Sequence, residues 1–362
     1  MVNERLCIHP FDLKGRINNV KNWKVPDSVK KDILDFCDAC SIGQVHKGFK
    51  ISDRRIMKYL SMLRLPMERI CIELKALTIK DIEQFERELS TNKILSIKGK
   101  PYAEVSKSDI KKCLKIFLKW KLGDKSVKLV GWLDVRSPVK TPDYLSELEI
   151  EKLFKVCKNA KERFLIAVLF DSGARAEEFH NIRKEDVQLP SDSNNFVKIT
   201  LKEEYSKTKG RVISLYWKHS IEAVRDFITL RLSEEIKSQE PVFNFAYAST
   251  RQLLLRLGKK ALKKPIHYHL FRHSSATYYA NKLNRQELCY RYGWKFSSDM
   301  PDIYISRAGM ESKELDVQFQ NTDIEVLRGD LEKMKLLVRM ILEKQPIIEK
   351  LLKKFKISGT SL

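Results

Sequence analysis

Apolar residues recur at spacings of three and four along almost the whole chain, and the period changes only once. Between 196 and 216 it becomes two. FVKITLK sets Val197, Ile199 and Leu201 on one face, RVISLY follows, and the turn-like EEYSKTKG separates them. A chain with this pattern can build helical cores and one β-hairpin, and little else.

Residues 26–122 read as four amphipathic helices around one core. VPDSVKKDILDFCDACSIG starts after Pro26, with Asp27 or Ser28 as N-cap, and stops at Gly43. SDRRIMKYLSMLRLPM is expected to end near Pro66. TIKDIEQFERELSTN starts at Thr78 and aligns Ile79, Ile82, Phe85 and Leu89. SKSDIKKCLKIFLKWKLGD turns Ile110, Leu114, Phe117 and Leu118 inward and its lysines outward. Residues 123–143 contain Pro138 and Pro142 without periodicity and are expected to be an extended linker. Ser146-Glu-Leu-Glu149 is a capping box that opens the next helix, and ERFLIAVLFDSG is a buried helix closing at Gly173. In the tail, Leu327, Met334, Ile341 and Ile348 stand seven apart, with Leu331, Val338 and Leu352 in the companion position and Pro346 interrupting. A coiled-coil arm and a docked helix fit this pattern equally.

The expected fold class is therefore multi-domain, an all-α N-terminal domain followed by a mainly α domain with a small antiparallel β-hairpin. The layout is an N-terminal extension (1–20), a helical domain (21–122), the linker (123–143), a second domain (144–322) and a helical tail (323–362).

Charge narrows the partners. Lys+Arg number 69 against 47 Asp+Glu, a net charge of +22. A field of that sign attracts polyanions, with nucleic acid first among them. The seven cysteines are scattered, and Cys37 and Cys40 lack the second pair that a zinc site needs, so buried reduced thiols are expected. No run of 18 apolar residues suggests a membrane span, and the N-terminus has no apolar signal region. A cytoplasmic, DNA-associated protein without a small-molecule substrate is expected.

Three separated segments hold groups suited to phosphoryl transfer. Phe170-Asp-Ser-Gly-Ala-Arg-Ala-Glu-Glu-Phe179 presents Arg175 after a glycine turn. His269-Leu-Phe-Arg-His273 puts His269 and Arg272 on one helix face. Gly293-Trp-Lys-Phe-Ser-Ser-Asp-Met-Pro-Asp-Ile-Tyr304 ends on a phenol. Together these resemble the signature of the tyrosine recombinases, the phage integrase family. Ser172-Gly-Ala-Arg175 with Glu178 fits its first arginine turn, His269-Leu-Phe-Arg272-His273 its second motif, Gly293-Trp294 its third and Tyr304 its nucleophile. The arginines lie 272 − 175 = 97 residues apart, and Tyr304 follows Arg272 by 304 − 272 = 32. Lys207, in SKTKGRV, matches the strand-turn lysine of the family, with Lys209 as the alternative. The resemblance covers about 144–322, and GWKFSSDMPDIY is similar to integrases of archaeal viruses and plasmids. Two departures are Trp294 for the commoner His and Phe271 for the usual Leu.

The resemblance implies a core-binding N-terminal domain and cleavage and rejoining of double-stranded DNA through a 3′-phosphotyrosine and a Holliday junction. It implies neither metal, cofactor nor ATP. It also implies a tetramer on synapsed sites, a monomer or weak oligomer when free, and a 311–322 segment that packs on a neighbour. The residue types suit this chemistry. Two guanidiniums, Arg175 and Arg272, can clamp a phosphate and stabilise transition-state charge. Tyr304 must lose a proton as it attacks, and His269 can accept it or donate to a phosphate oxygen. Lys207 is the natural acid for the leaving 5′-oxygen. Trp294 can bond a phosphate oxygen or pack Tyr304. Glu178 and His273 are expected to support the site from behind. A type IB topoisomerase-like relaxing enzyme and an inactive DNA-binding protein on the same scaffold are the competing readings.

Overall fold

The computed structural model describes residues 6–307, except 9, 138–141 and 193–194, together with 331–335 and 338. The 311–322 segment and nearly all of the 323–355 heptad lie outside the described residues. The chain divides into two compact units, Cys7–Pro142 and Asp143–Leu362, the latter with Met1–Leu6.

The first unit is helical: α1 (Leu13–Asn18), α2 (Asp27–Ile42), α3 (Asp53–Ile70), α4 (Ile79–Ser90), α5 (Glu104–Leu122) and α6 (Lys125–Val130). Ile33, Phe36, Leu63, Ile82, Leu114 and Phe117 form its dry centre, with Phe36 edge-on to Phe117 at 5.3 Å. Cys37 and Cys40 are buried thiols, both pushed up to about 12 chiefly by burial. Gly43, at φ +92°, ends α2 in the left-handed conformation, and Thr78 and Asp81 close a reciprocal capping box on α4.

Four local expectations need correction. Helix α2 begins at Asp27 with Pro26 as its N-cap. Helix α3 runs through Pro66 to Ile70, because Leu63, Pro66 and Met67 share its buried face and proline removes only one N–H donor. Ile79 is exposed at the first position of α4, where a helix has not yet turned onto its packed face. Residues 125–130, expected within an extended linker, form α6, since Val130 and Leu133 bury their side chains in this core.

The second unit comprises α7 (Glu147–Lys155), α8 (Ala160–Ser172), α9 (Ala176–His180), β1 (Val187–Gln188), β2 (Val197–Leu201), β3 (Arg211–Leu215), α10 (Ser220–Ser233), α11 (Tyr247–Leu262), α12 (Tyr268–Ala280), α13 (Arg285–Tyr292) and α14 (Met300–Arg307). The sheet is antiparallel in the order β1-β2-β3, with Ile199 opposite both Val187 and Ile213. The short β1 was not legible as a strand. Helix α8 is apolar on all sides and buried from Phe164 to Ser172, so it is the central element, packed by α7, α10 and α12. Asp171 is the charged exception in that run. Fully buried, it accepts from the Trp217 backbone N–H at 2.7 Å, the Ser220 hydroxyl at 2.6 Å, the Tyr279 hydroxyl and Arg291 at 3.1 Å. One carboxylate thus ties α8 to α10, α12 and α13. Among the described residues no helix is long and apolar enough to cross a membrane.

Candidate active site

Helix α8 ends at Gly173, whose φ of +59° an L side chain adopts only at a cost. A Cβ there would lie 2.4 Å from the Tyr292 ring. The turn delivers Arg175 as N-cap of α9, where its guanidinium, a quarter exposed, meets the Glu178 carboxylate at 2.8 Å. Glu178 also binds Arg211 at 2.9 and 3.2 Å and accepts from the Ser206 hydroxyl at 2.7 Å. Burial pushes the Glu178 carboxyl up, but Arg211, Arg175 and Arg272 outweigh it and hold the group down to about 2.

Arg272 lies on α12, 4% exposed. It donates to the Gly173 carbonyl at 2.9 Å and the Tyr292 carbonyl at 2.5 Å. Its guanidinium sits over Tyr292 at 5.3 Å and Trp294 at 5.7 Å. Burial and the neighbouring Arg175 lower its pKa to about 9, which leaves it cationic at neutral pH.

Helix α13 ends at Gly293, φ +61°, and the chain turns to Trp294. Trp294 stacks on Tyr304 with centroids 5.3 Å apart and planes at 6°, and on Tyr292 at 4.9 Å. Tyr304, on α14, is 1% exposed. Its hydroxyl meets His273 Nδ1 at 2.6 Å. Burial raises the phenol pKa, opposed by Arg272 and by Arg307, whose guanidinium lies 6.0 Å from the ring. His273 is pushed down to about 4 by burial, then by His269, Arg307 and Arg272, and is neutral at physiological pH. His269 is exposed, edge-on to His273 at 4.6 Å. Burial and the Arg272, His267 and Arg175 charges lower its pKa as well.

Arg175, Arg272, Trp294 and Tyr304, with Glu178, His269 and His273, therefore converge through direct or one-removed contacts. Lys207 stands apart. It is exposed on the β2–β3 turn, in an open cleft of roughly 820 Å³ that Lys209, Tyr290, Trp294, Lys295 and Phe296 also line. Lys209 shares the same turn, and the geometry favours neither lysine. Trp294 packs Tyr304 by stacking, the second of its two expected roles. Tyr292 lies beneath Arg272, its hydroxyl on Ser275 at 2.8 Å.

Sequence reading missed Arg211, Arg291, Asp171, Arg307 and the backbone role of Tyr292. Arg211 donates Nε to the Arg291 carbonyl at 2.9 Å, which joins the strand to the end of α13. An arginine at an inward position of an alternating strand was the available signal.

Residues 143–309 match the phage integrase family. A tyrosine recombinase XerA of Saccharolobus solfataricus is 26% identical over 157 residues, 41% of this chain and 50% of that protein. A tyrosine recombinase of Pseudothermotoga lettingae is 30% identical over 149 residues, 40% of this chain and 49% of that protein. The chain thus spans about half the length of the curated relatives it matches. A solved lambda integrase tetramer bound to a Holliday junction has the same fold at TM-score 0.55 and 15% identity, over 77% of this chain and 80% of that one.

Proposed function

For a chain whose residues 143–309 are a phage integrase family domain, we propose the activity of a DNA strand transferase that cuts and rejoins duplex DNA at specific sites through a 3′-phosphotyrosine on Tyr304. One observation carries the reading. The Tyr304 phenol is packed by Trp294, and the same indole lies beneath Arg272, so nucleophile and guanidinium share one aromatic wall.

In this reading Arg175 and Arg272 bind the non-bridging oxygens of the scissile phosphate and stabilise charge in the transition state. Glu178 holds Arg175 in position. His269 donates to a phosphate oxygen, and Lys207 protonates the leaving 5′-oxygen. Phosphodiester energy is kept in the phosphotyrosine, so rejoining needs no ATP. Partner DNA sites synapse in a tetramer and exchange strands through a Holliday junction. The tetramer-bound lambda integrase structure is consistent with that assembly. The net charge of +22 favours the polyanionic substrate.

A pool of nicked duplexes with randomised cores, whose cut strand loses a short 5′-hydroxyl fragment, traps the intermediate. Denaturing gels should reveal a covalent protein–DNA band with the wild-type chain. Tyr304→Phe should form none, and Arg175→Ala and Arg272→Ala should form nearly none. Persistence of the band in Tyr304→Phe would overturn the assignment. Relaxation of a supercoiled plasmid lacking any captured site would favour a topoisomerase.

A further inference from the structure

We propose that His273, and not His269, receives the phenolic proton of Tyr304 as that oxygen attacks phosphorus. The inference rests on the reading of Tyr304 as nucleophile. His273 Nδ1 stands 2.6 Å from the Tyr304 hydroxyl, a distance at which a proton passes along an existing hydrogen bond. Among the described residues that hydroxyl has no other hydrogen-bond partner. His269, one helical turn earlier, reaches His273 edge-on but makes no hydrogen bond to the phenol.

Burial and the cationic neighbours keep the imidazole unprotonated before reaction, so the ring has a lone pair to offer the phenol. In the tautomer that accepts at Nδ1, Nε2 carries the ring hydrogen. The proposal requires this tautomer, since a phenol can donate only to an unprotonated ring nitrogen. His273 also adjoins Arg272 in sequence on the same turn of α12, so the proton acceptor and the phosphate clamp move as one rigid piece.

The Tyr304 O–H bond breaks and a His273 Nδ1–H bond forms. The freed oxygen pair bonds to phosphorus. The bond from phosphorus to the 5′-oxygen breaks, and that oxygen takes a proton from Lys207. In rejoining, the 5′-hydroxyl returns a proton to the lysine, and the imidazolium returns its own to the departing Tyr304 oxygen. His269 is then free to donate to phosphate throughout.

Single-turnover cleavage of a trapping duplex recovered from the randomised pool tests this. In His273→Asn the amide group stands near the position of Nδ1 and keeps a hydrogen bond, but takes up no proton. It should bind the duplex as the wild type does and cleave about 100-fold or more slowly, the scale of a lost general base. His273→Ala should be equally slow and should recover at least roughly tenfold with added imidazole, as a base-deleted enzyme does. His269→Ala should bind normally and gain nothing from imidazole. Cleavage by His273→Asn within about threefold of wild type would reduce His273 to packing and overturn the proposal while leaving Tyr304 as nucleophile. Imidazole rescue of His269→Ala alone would transfer the role to His269. A wild-type chain that forms no adduct would sink the recombinase reading itself, a result distinct from either. Thermal melts of each variant separate slow chemistry from failed folding.

Discussion

Glu178 and Arg211 form a buried ion pair, 2.9 Å between Oε2 and the guanidinium, with side chains 1% and 2% exposed. The carboxylate that holds Arg175 is thereby fastened to the first residue of β3, at the end of the turn that carries Lys207. Two elements far apart in sequence meet through one charge.

Arg211→Met leaves Glu178 with Arg175 and the Ser206 hydroxyl as its remaining partners. The change is expected to cost about 1–3 kcal/mol in urea unfolding, the scale of a lost buried charge-assisted hydrogen bond. The double change Glu178→Leu with Arg211→Met should recover much of that stability and still fail to form the adduct, because Arg175 loses its anchor. A fully active double variant would mean that Arg175 positions itself.

Acid should weaken the second unit in two windows. His180, fully buried against the Tyr268 hydroxyl at 2.6 Å, has its pKa lowered by burial from 6.5 to about 4. As pH falls through 6.5 the unfolded chain takes up a proton that the folded chain refuses, so stability declines progressively down to about 4. Glu178, lowered from 4.5 to about 2, contributes stability that is present above 4.5 and lost as pH falls through 2. Urea midpoints between pH 7 and 4 should drop for wild type and drop less steeply in His180→Gln, with His273, lowered to about 4 as well, supplying part of the remaining slope. An unchanged slope in the variant would assign the upper window to other groups.

Gly173 has no room for a methyl group. Gly173→Ala adopts a left-handed φ at roughly 1–2 kcal/mol and drives its Cβ toward the Tyr292 ring, 2.4 Å away. The carbonyls of Gly173 and Tyr292 both hold Arg272, so cleavage should fall more than the loss of stability explains. Single-turnover rates at a temperature well below the melt decide this.

The Trp294 stack is expected to position the nucleophile. Trp294→Phe keeps an aromatic face and should cleave within about tenfold of wild type, whereas Trp294→Ala should lose roughly 100-fold, with duplex binding unchanged in both. Equal rates for the two would place the indole N–H, and not the ring face, at the centre of its role.

Much of this was legible in sequence because it is periodic or covalently local. The helical repeats give α2 to α5, the alternation at 197–201 gives the hairpin, and Ser146 with Glu149 gives the start of α7. The candidate site residues were legible as motifs, since Arg175 and Glu178, and His269, Arg272 and His273, are each neighbours on one helix turn. What stayed hidden depends on contacts between distant segments. Asp171 reads as one polar residue in an apolar helix until Trp217, Ser220, Tyr279 and Arg291 arrive around it. Arg211 alternates inward with Ile213 and Leu215, but its partner Glu178 lies 33 residues away and only the fold brings the two together. Helix α6 is too short to show a period, and its packing comes from Leu129 and Val130, with Leu133 just beyond its end.

The central claim is that Tyr304 becomes covalently joined to DNA. Mass spectrometry of protease-digested adduct from the wild-type chain tests it at the atom concerned. The expected result is a nucleotide, linked through its 3′-phosphate, on the peptide containing Tyr304 and on that side chain. A nucleotide on Tyr290, Tyr292 or any other residue, or one linked through a 5′-phosphate, would contradict the account.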